Sequence, residues 1–235
     1  MPELRKDPIT QRWVIIATER AARPTDFIPK EEQDLTDRDR CPFCEGREDQ
    51  TPPEIFGVRR DGTGPNTPGW RVRVVSNKFP ALRIEGNTSP TRVGMFTRMD
   101  GVGAHEIIIE TPEHDPHLAL LPEEQIADVL RAYHQRYEDL DRDERFKYLL
   151  LFRNHRRAAG ASLSHPHSQL IALPMVPKRI DEELDAAERY FVKQGTCIYC
   201  DLVQQEQASA ERIVYENDGF VALAPFAARF PFEMW

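Results

Sequence analysis

His165-Pro166-His167 places an imidazole on either side of a proline, near the end of the run NHRRAAGASLSHPHSQ (residues 154–169). Alternate side chains of an extended segment share a face, so the two rings would point the same way. The small residues just upstream, Gly160 and Ser162 among them, suit a loop whose backbone N–H groups approach a ligand closely. A neutral imidazole can attack phosphorus or bind a metal ion. The block therefore reads as a phosphate-chemistry loop. The competing reading is a surface turn that happens to hold two histidines.

Cys41-Pro-Phe-Cys44 and Cys197-Ile-Tyr-Cys200 supply soft donors at zinc-site spacing. The N-terminal residues lack the apolar core of a secretory signal, which makes disulfides the poorer explanation. The polar sequence before Cys41 does not resemble the strand that leads into a redox pair, so metal is favoured over redox chemistry. His114 and His165 are the best partners for Cys41 and Cys44. Together they form a closed Cys2His2 set of the structural kind, with His117 as a rival to His114. His105, His134 and His155 are read as a strand start, a helix-surface residue and a loop residue. Cys197 and Cys200 form a second candidate metal site, with no histidine after them. Its other ligands would belong to a further C-terminal part; a single zinc ribbon of all four cysteines is disfavoured by the long gap between the pairs.

Strands and helices must position these groups. In the segment 70–82, Trp70, Val72 and Val74 alternate with Arg71 and Arg73, a strand pattern, and residues 77–80 form a turn. Further strands are expected at 12–16, 105–110 and 147–153, and after Pro166, where His167, Gln169 and Ile171 share one side. Pro122 opens a helix running to about Asp141. Its expected buried face is Ile126, Val129, Leu130, Tyr133, Tyr137 and Leu140. Residues 181–194 form a second helix, 17–40 an extended arm carrying Arg20 and Arg23, and 83–103 a loop.

The 235 residues allow one large or two small domains. A net charge of −8 argues against a nucleic-acid-binding surface, and no apolar run is long enough for a membrane span. A soluble, cytoplasmic chain is expected. An internal echo links VVSNKFPAL (74–82) to VYENDGFVAL (214–223), each following a Cys-x-x-Cys pair. The sequence ends inside the apolar segment FPFEMW, whereas termini are usually exposed and polar. The chain is therefore expected to be the front of a longer two-repeat protein, the other reading being a natural end with an aromatic anchor.

RAARPTDF (20–27), CPFC (41–44), the Asn77 turn, ETPEH (110–114), the FRN…AGASLSHPHSQ block (152–169) and FPFE (230–233) together resemble the galactose-1-phosphate uridylyltransferase family of the histidine-triad superfamily. The resemblance spans nearly the whole chain. It implies an α+β fold of two histidine-triad-like repeats, with antiparallel sheets packed against helices. Residues 1–178 would be the first repeat, with nucleophile and zinc site. Residues 179–235 would start the second, whose incomplete sheet leaves an exposed edge near 213–235. It also implies ping-pong transfer of UMP between UDP-glucose and galactose 1-phosphate, with His167 as nucleophile and His165 as a zinc ligand.

On that resemblance, Gln169 donates to a phosphate oxygen, aided by Ser162 and the backbone at Gly160. Asn77 and Asn154 contact nucleotide. Arg20 and Arg23 reach the nucleotide of a second subunit, which implies a homodimer. Glu183 falls near a family position that sometimes binds a second metal, though a solvated helix carboxylate is the simpler reading. Arg156 stands where the family often has glycine. An adenylyltransferase or phosphorylase using ADP-glucose resembles the same motifs. Two further readings are a nucleotide-binding module without turnover and a zinc-ribbon interaction protein.

Overall fold

A computed structural model of the chain describes residues 1–6, 13–17, 38–59, 62–155 and 159–235. They divide into two compact units, Met1–Pro177 and Lys178–Trp235. The first contains strands β1 (Glu3–Lys6), β2 (Trp13–Ile16), β3 (Glu54–Arg59), β4 (Trp70–Ser76), β5 (Thr91–Val93), β6 (Phe96–Asp100) and β7 (Ala104–Ile109), helix α1 (Glu123–Asp141), and strands β8 (Tyr148–Phe152) and β9 (His167–Leu173). The second contains helices α2 (Lys178–Gln194) and α3 (Ile198–Ser209) and strands β10 (Ile213–Glu216) and β11 (Val221–Leu223). The fold mixes helices with antiparallel sheets.

The frame of the first unit is a five-stranded sheet in the order β3-β4-β7-β9-β8, antiparallel throughout. Its central strands are buried on both faces, which is why HEIII in β7 reads as a nearly continuous apolar run. On one face Val72, Val74, Ile108, Leu170 and Ala172 pack against Val129, Ala132 and Leu140 of α1. On the other, Trp70, Val75, Ile107 and Ile109 form a second cluster with Phe43. In the β7–β9 register Ile109 faces His167, Ile107 faces Gln169 and His105 faces Ile171, so all six share this second face. Gly103 enters β7 so close to β9 that a Cβ there would lie 2.3 Å from the Ala172 carbonyl oxygen; only glycine fits the approach.

The segment 83–103, expected as a loop, instead contributes β5 and β6. They extend the pair β1–β2 into a four-stranded sheet of order β2-β1-β6-β5. The pattern is faint because the sheet buries little: Met99 and Leu4 go inward with Leu82 and Leu173, while Thr91, Arg92 and Val93 are all exposed.

Helix α1 starts after Pro122, with Glu123 and Glu124 in its first turn, where carboxylates favour the helix dipole. Its buried face differs from the expected one. Leu130 and Tyr137 are 57% and 49% exposed. Gln125, Asp128 and Arg136 are buried with Val129, Ala132 and Leu140. Each inward polar group has partners. Gln125 donates to the carbonyls of Arg71 (2.8 Å) and Glu110 (2.7 Å), Asp128 pairs with Arg71 (2.6 Å), and Arg136 forks onto both oxygens of Glu106 at 2.8 Å.

In the second unit, β10 and β11 form a two-stranded sheet, and Trp235 exchanges backbone hydrogen bonds with Leu223 at 2.9 and 3.0 Å. Phe220, Phe226, Phe230 and Phe232 are exposed.

Candidate metal centre and adjoining cavity

Four buried side chains converge beside the second face of the large sheet. Cys41 and Cys44 come from the turn before β3, His114 from the segment after β7, and His165 from the residues that lead into β9. Their ligand atoms lie within 4.8 Å of one another. Cys44 Sγ is 3.3 Å from His114 Nδ1, and both sulfurs are 3.7 Å from His165 Nδ1. For bond lengths of about 2.3 Å to sulfur and 2.0–2.1 Å to nitrogen, the edge of a zinc tetrahedron is about 3.6 Å, so the donor set fits that ion in both chemistry and size.

The outer partners agree with this. His165 Nε2 donates to the Thr111 carbonyl at 2.8 Å, and His114 Nε2 lies 3.0 Å from Ser164 Oγ. Each ring is thus held by one nitrogen while Nδ1 faces the sulfurs, the usual arrangement around a metal. Burial pushes the Cys41 thiol up to about 11 and the His165 imidazole down to about 4. The His165 ring is therefore neutral, as a ligand must be, and a cation would draw the thiols into their anionic form.

His167 opens β9 two residues later, on the same face. Its Nδ1 lies 2.8 Å from the carbonyl oxygen of His165. A carbonyl only accepts, so Nδ1 carries the proton and Nε2 carries the lone pair. Phe43, between the two cysteines, meets the rings of both His165 (6.0 Å) and His167 (5.3 Å) edge-on. It is a wedge between metal site and imidazole that the Cys-x-x-Cys spacing does not announce.

His167 lines a cavity of 610 Å³, together with Gln169, Asn77, Ser162, Phe79 and the cationic side chains Arg40 and Lys78. The size suits a small organic ligand, and the two cations outnumber the one lining carboxylate, Asp49, which favours an anionic ligand. Asn77 is held by its own turn, its Oδ1 accepting from the Phe79 N–H at 2.9 Å. Asn154 and Gly160 are not among the lining residues; they meet in the loop before His165, where a Cβ on Gly160 would lie 3.8 Å from Asn154 Nδ2. Gly160 has φ +89°, so backbone conformation rather than space calls for glycine there.

Arg20, Arg23 and Arg156 lie outside the described residues. Cys197 and Cys200 are exposed at the start of α3. The Cys197 thiol is drawn down by the backbone N–H groups of Cys200 and Tyr199. Among the described residues, only Cys41, Cys44, His114 and His165 form a set of three or more side chains able to hold a metal. Glu183 is an exposed helix carboxylate paired with Arg179 at 3.0 Å.

Sequence reasoning missed a buried network on the opposite face of β9. Ser168 donates to Glu110, the Tyr133 hydroxyl lies 2.6 Å from Ser168 Oγ, and Arg153 Nε reaches both Glu110 oxygens at 3.0 Å. Glu110 is fully buried, and burial beside that carboxylate pushes the Tyr133 phenol up. It also missed His105, read as a plain strand start; the ring is buried and lies 2.8 Å from Gln169.

Comparison with known proteins bears on the whole chain. Residues 1–177 match the family described as galactose-1-phosphate uridyl transferase, N-terminal domain, and residues 183–235 match its C-terminal domain. An ADP-glucose phosphorylase from Arabidopsis thaliana is 40% identical over all of this chain and 65% of its own length. A galactose-1-phosphate uridylyltransferase from Thermotoga maritima is 30% identical, again over all of this chain and 65% of its own length. The crystal structure of an ADP-glucose phosphorylase from Arabidopsis thaliana with bound ADP-glucose superposes with a TM-score of 0.70 at 37% identity, covering 100% of this chain and 67% of that one. The chain thus spans about two thirds of the length of the relatives it matches.

Proposed function

This chain belongs to the galactose-1-phosphate uridylyltransferase family, and on that footing we propose that it moves a nucleoside monophosphate from a nucleoside diphosphate sugar to a sugar phosphate through a covalent intermediate on His167. The supporting observation is the His167 Nδ1–H bond to the His165 carbonyl, 2.8 Å long, in a ring that lines the cavity with Gln169. In the first step the Nε2 lone pair attacks the α-phosphorus. The P–N bond forms as the bond from α-phosphorus to the bridging oxygen breaks, and the sugar 1-phosphate leaves with that electron pair. The ring becomes cationic, and the His165 carbonyl dipole at Nδ1–H stabilises that charge. In the second step an oxygen of the acceptor phosphate attacks the same phosphorus and returns the lone pair to Nε2. Splitting one displacement in two is the gain of the histidine route.

Gln169 and Ser162 are assigned to the oxygens of the transferring phosphorus, together with backbone groups at Gly160. Asn77 and Asn154 are assigned to the nucleotide. Arg20 and Arg23 are assigned to the nucleotide of a second subunit in a homodimer. Cys41, Cys44, His114 and His165 would hold zinc as a structural ion that cross-links the loop before β3 to the start of β9. Cys197 and Cys200 are offered as a second metal site. Residues 1–178 and 179–235 are read as the first histidine-triad-like repeat and the start of a second, in a cytoplasmic enzyme.

The family name points to UDP-glucose and galactose 1-phosphate as substrates. A second reading, with ADP-glucose as the nucleotide sugar, is favoured by the 40% identity to the Arabidopsis thaliana phosphorylase. Isotope exchange tests both. Labelled glucose 1-phosphate should enter UDP-glucose, or ADP-glucose on the second reading, with no other acceptor present. Nucleotide binding without exchange would mean a binding module that does not turn over.

A further inference from the structure

Gln169 has two chemically distinct ends, and only its NH2 end can donate to a phosphate oxygen. A glutamine amide turns over easily, and the wrong way round it would present a repelling oxygen. Something must therefore fix its sense, and the hydrogen bonds around His105 do so. The backbone N–H of Ala81 points at His105 Nδ1 from 3.0 Å. A backbone N–H can only donate, so Nδ1 is the acceptor and the proton of the neutral ring sits on Nε2. Gln169 Oε1 lies 2.8 Å from that Nε2. The Nε2–H therefore donates to the amide oxygen, and the reversed amide would set N–H against N–H. With its oxygen held on β7, Gln169 is left with its NH2 group for the cavity that it lines.

A second amide lies near the same ring nitrogen. Asn77 Nδ2 is 3.1 Å from His105 Nε2, but Asn77 Oδ1 is committed to the Phe79 N–H at 2.9 Å. Nε2 cannot both donate to Gln169 and accept from Asn77, and the Ala81 N–H at Nδ1 decides for donation: Gln169 Oε1 is the acceptor, and Asn77 Nδ2 is a neighbour of the ring rather than its partner. His105 is 5% exposed, so water does not readily compete. Its place opposite Ile171, one step along the shared face from the Ile107–Gln169 pair, puts the ring within reach of the amide.

We infer that His105 is a positioning residue: its Nε2–H holds the side-chain oxygen of Gln169 and so turns the Gln169 NH2 group toward the transferring phosphate. The inference rests on the nucleotidyl-transfer reading for its consequence, and on the Ala81–His105–Gln169 chain for its geometry.

Two substitutions separate orientation from packing. His105→Asn keeps an acceptor near Nδ1 for the Ala81 N–H and loses the Nε2–H. His105→Gln reaches as far as Nε2 and keeps a donor there. In 15N-labelled, zinc-loaded protein, His105 should carry its proton on Nε2. The Gln169 side-chain amide resonances should move in His105→Asn and return in His105→Gln. A proton on Nδ1, or Gln169 resonances indifferent to both substitutions, overturns the inference. In single-turnover nucleotidylation with saturating UDP-glucose or ADP-glucose, His105→Asn should lose about tenfold, less than the loss of an oxyanion donor itself. His105→Gln should stay within about twofold, and His105→Asn should cost nothing more in a Gln169→Ala background, because the effect runs through one side chain. A full second loss in that background also overturns it. If the unsubstituted protein forms no adduct at all, the transfer reading falls, while the resonances still decide whether His105 orients Gln169.

Discussion

The two histidines around Pro166 differ in what their nitrogens meet. His165 turns Nδ1 to two sulfurs and gives Nε2 to the Thr111 carbonyl. His167 gives Nδ1 to the His165 carbonyl and keeps a lone pair on Nε2. On the proposed function the same residue type serves as ligand and as nucleophile, and the difference is set by which carbonyl each ring finds. Gln169→Ala should lower the rate of nucleotidyl transfer by about 10²–10³, the usual loss for one donor to a developing anion, with little change in melting temperature. Rapid-quench kinetics and a thermal melt check the two halves of that statement. Spacing alone made His165, His167 and the two cysteines legible, because alternation along a strand and Cys-x-x-Cys are local patterns. His105 was not legible. Its partner, Gln169, lies on another strand, and the register that joins them is a tertiary fact.

At the scale of elements, periodicity located α1 but not its inner face. Apolar spacing puts Leu130 and Tyr137 inward, yet Gln125, Asp128 and Arg136 occupy the buried positions because the sheet offers them carbonyls and charges. Glu106 and Arg136 are nearly fully buried and joined by two bonds of 2.8 Å. Arg136→Met should destabilise the chain by about 3–5 kcal/mol, since it strands the Glu106 carboxylate in the core, and adding Glu106→Leu should recover most of the loss. Leu130→Ala, by contrast, should stay within about 0.5 kcal/mol. Urea unfolding of the three variants distinguishes this account from the apolar-face expectation, which reverses the order of the single substitutions. β5 and β6 escaped sequence reading for a related reason: a strand pair that buries only Met99 fully leaves almost no period-two signal.

At the scale of the molecule, the metal set ties together sequence that the chain otherwise keeps apart. Cys41 and Cys44 precede the large sheet, whereas His114 follows β7 and His165 precedes β9, two of its three inner strands. With zinc held there as proposed, a chelator should lower the melting temperature by about 10 °C or more, at roughly 2–4 °C per kcal/mol for a chain of this size. Cys44→Ala should match that loss without chelator, and calorimetry with metal analysis checks both. The net charge of −8 coexists with a cavity where Arg40 and Lys78 outnumber the single carboxylate of Asp49 and stand beside the amides of Asn77 and Gln169, so attraction of an anionic ligand is local rather than global. The central claim is covalent transfer through His167, and the intact mass of the zinc-loaded protein tests it most directly, after separate incubations with UDP-glucose and ADP-glucose. The unsubstituted chain should gain the mass of one UMP or one AMP, and His167→Ala should gain neither. No adduct with either nucleotide sugar in a folded sample, or an adduct that persists in His167→Ala, would contradict that claim.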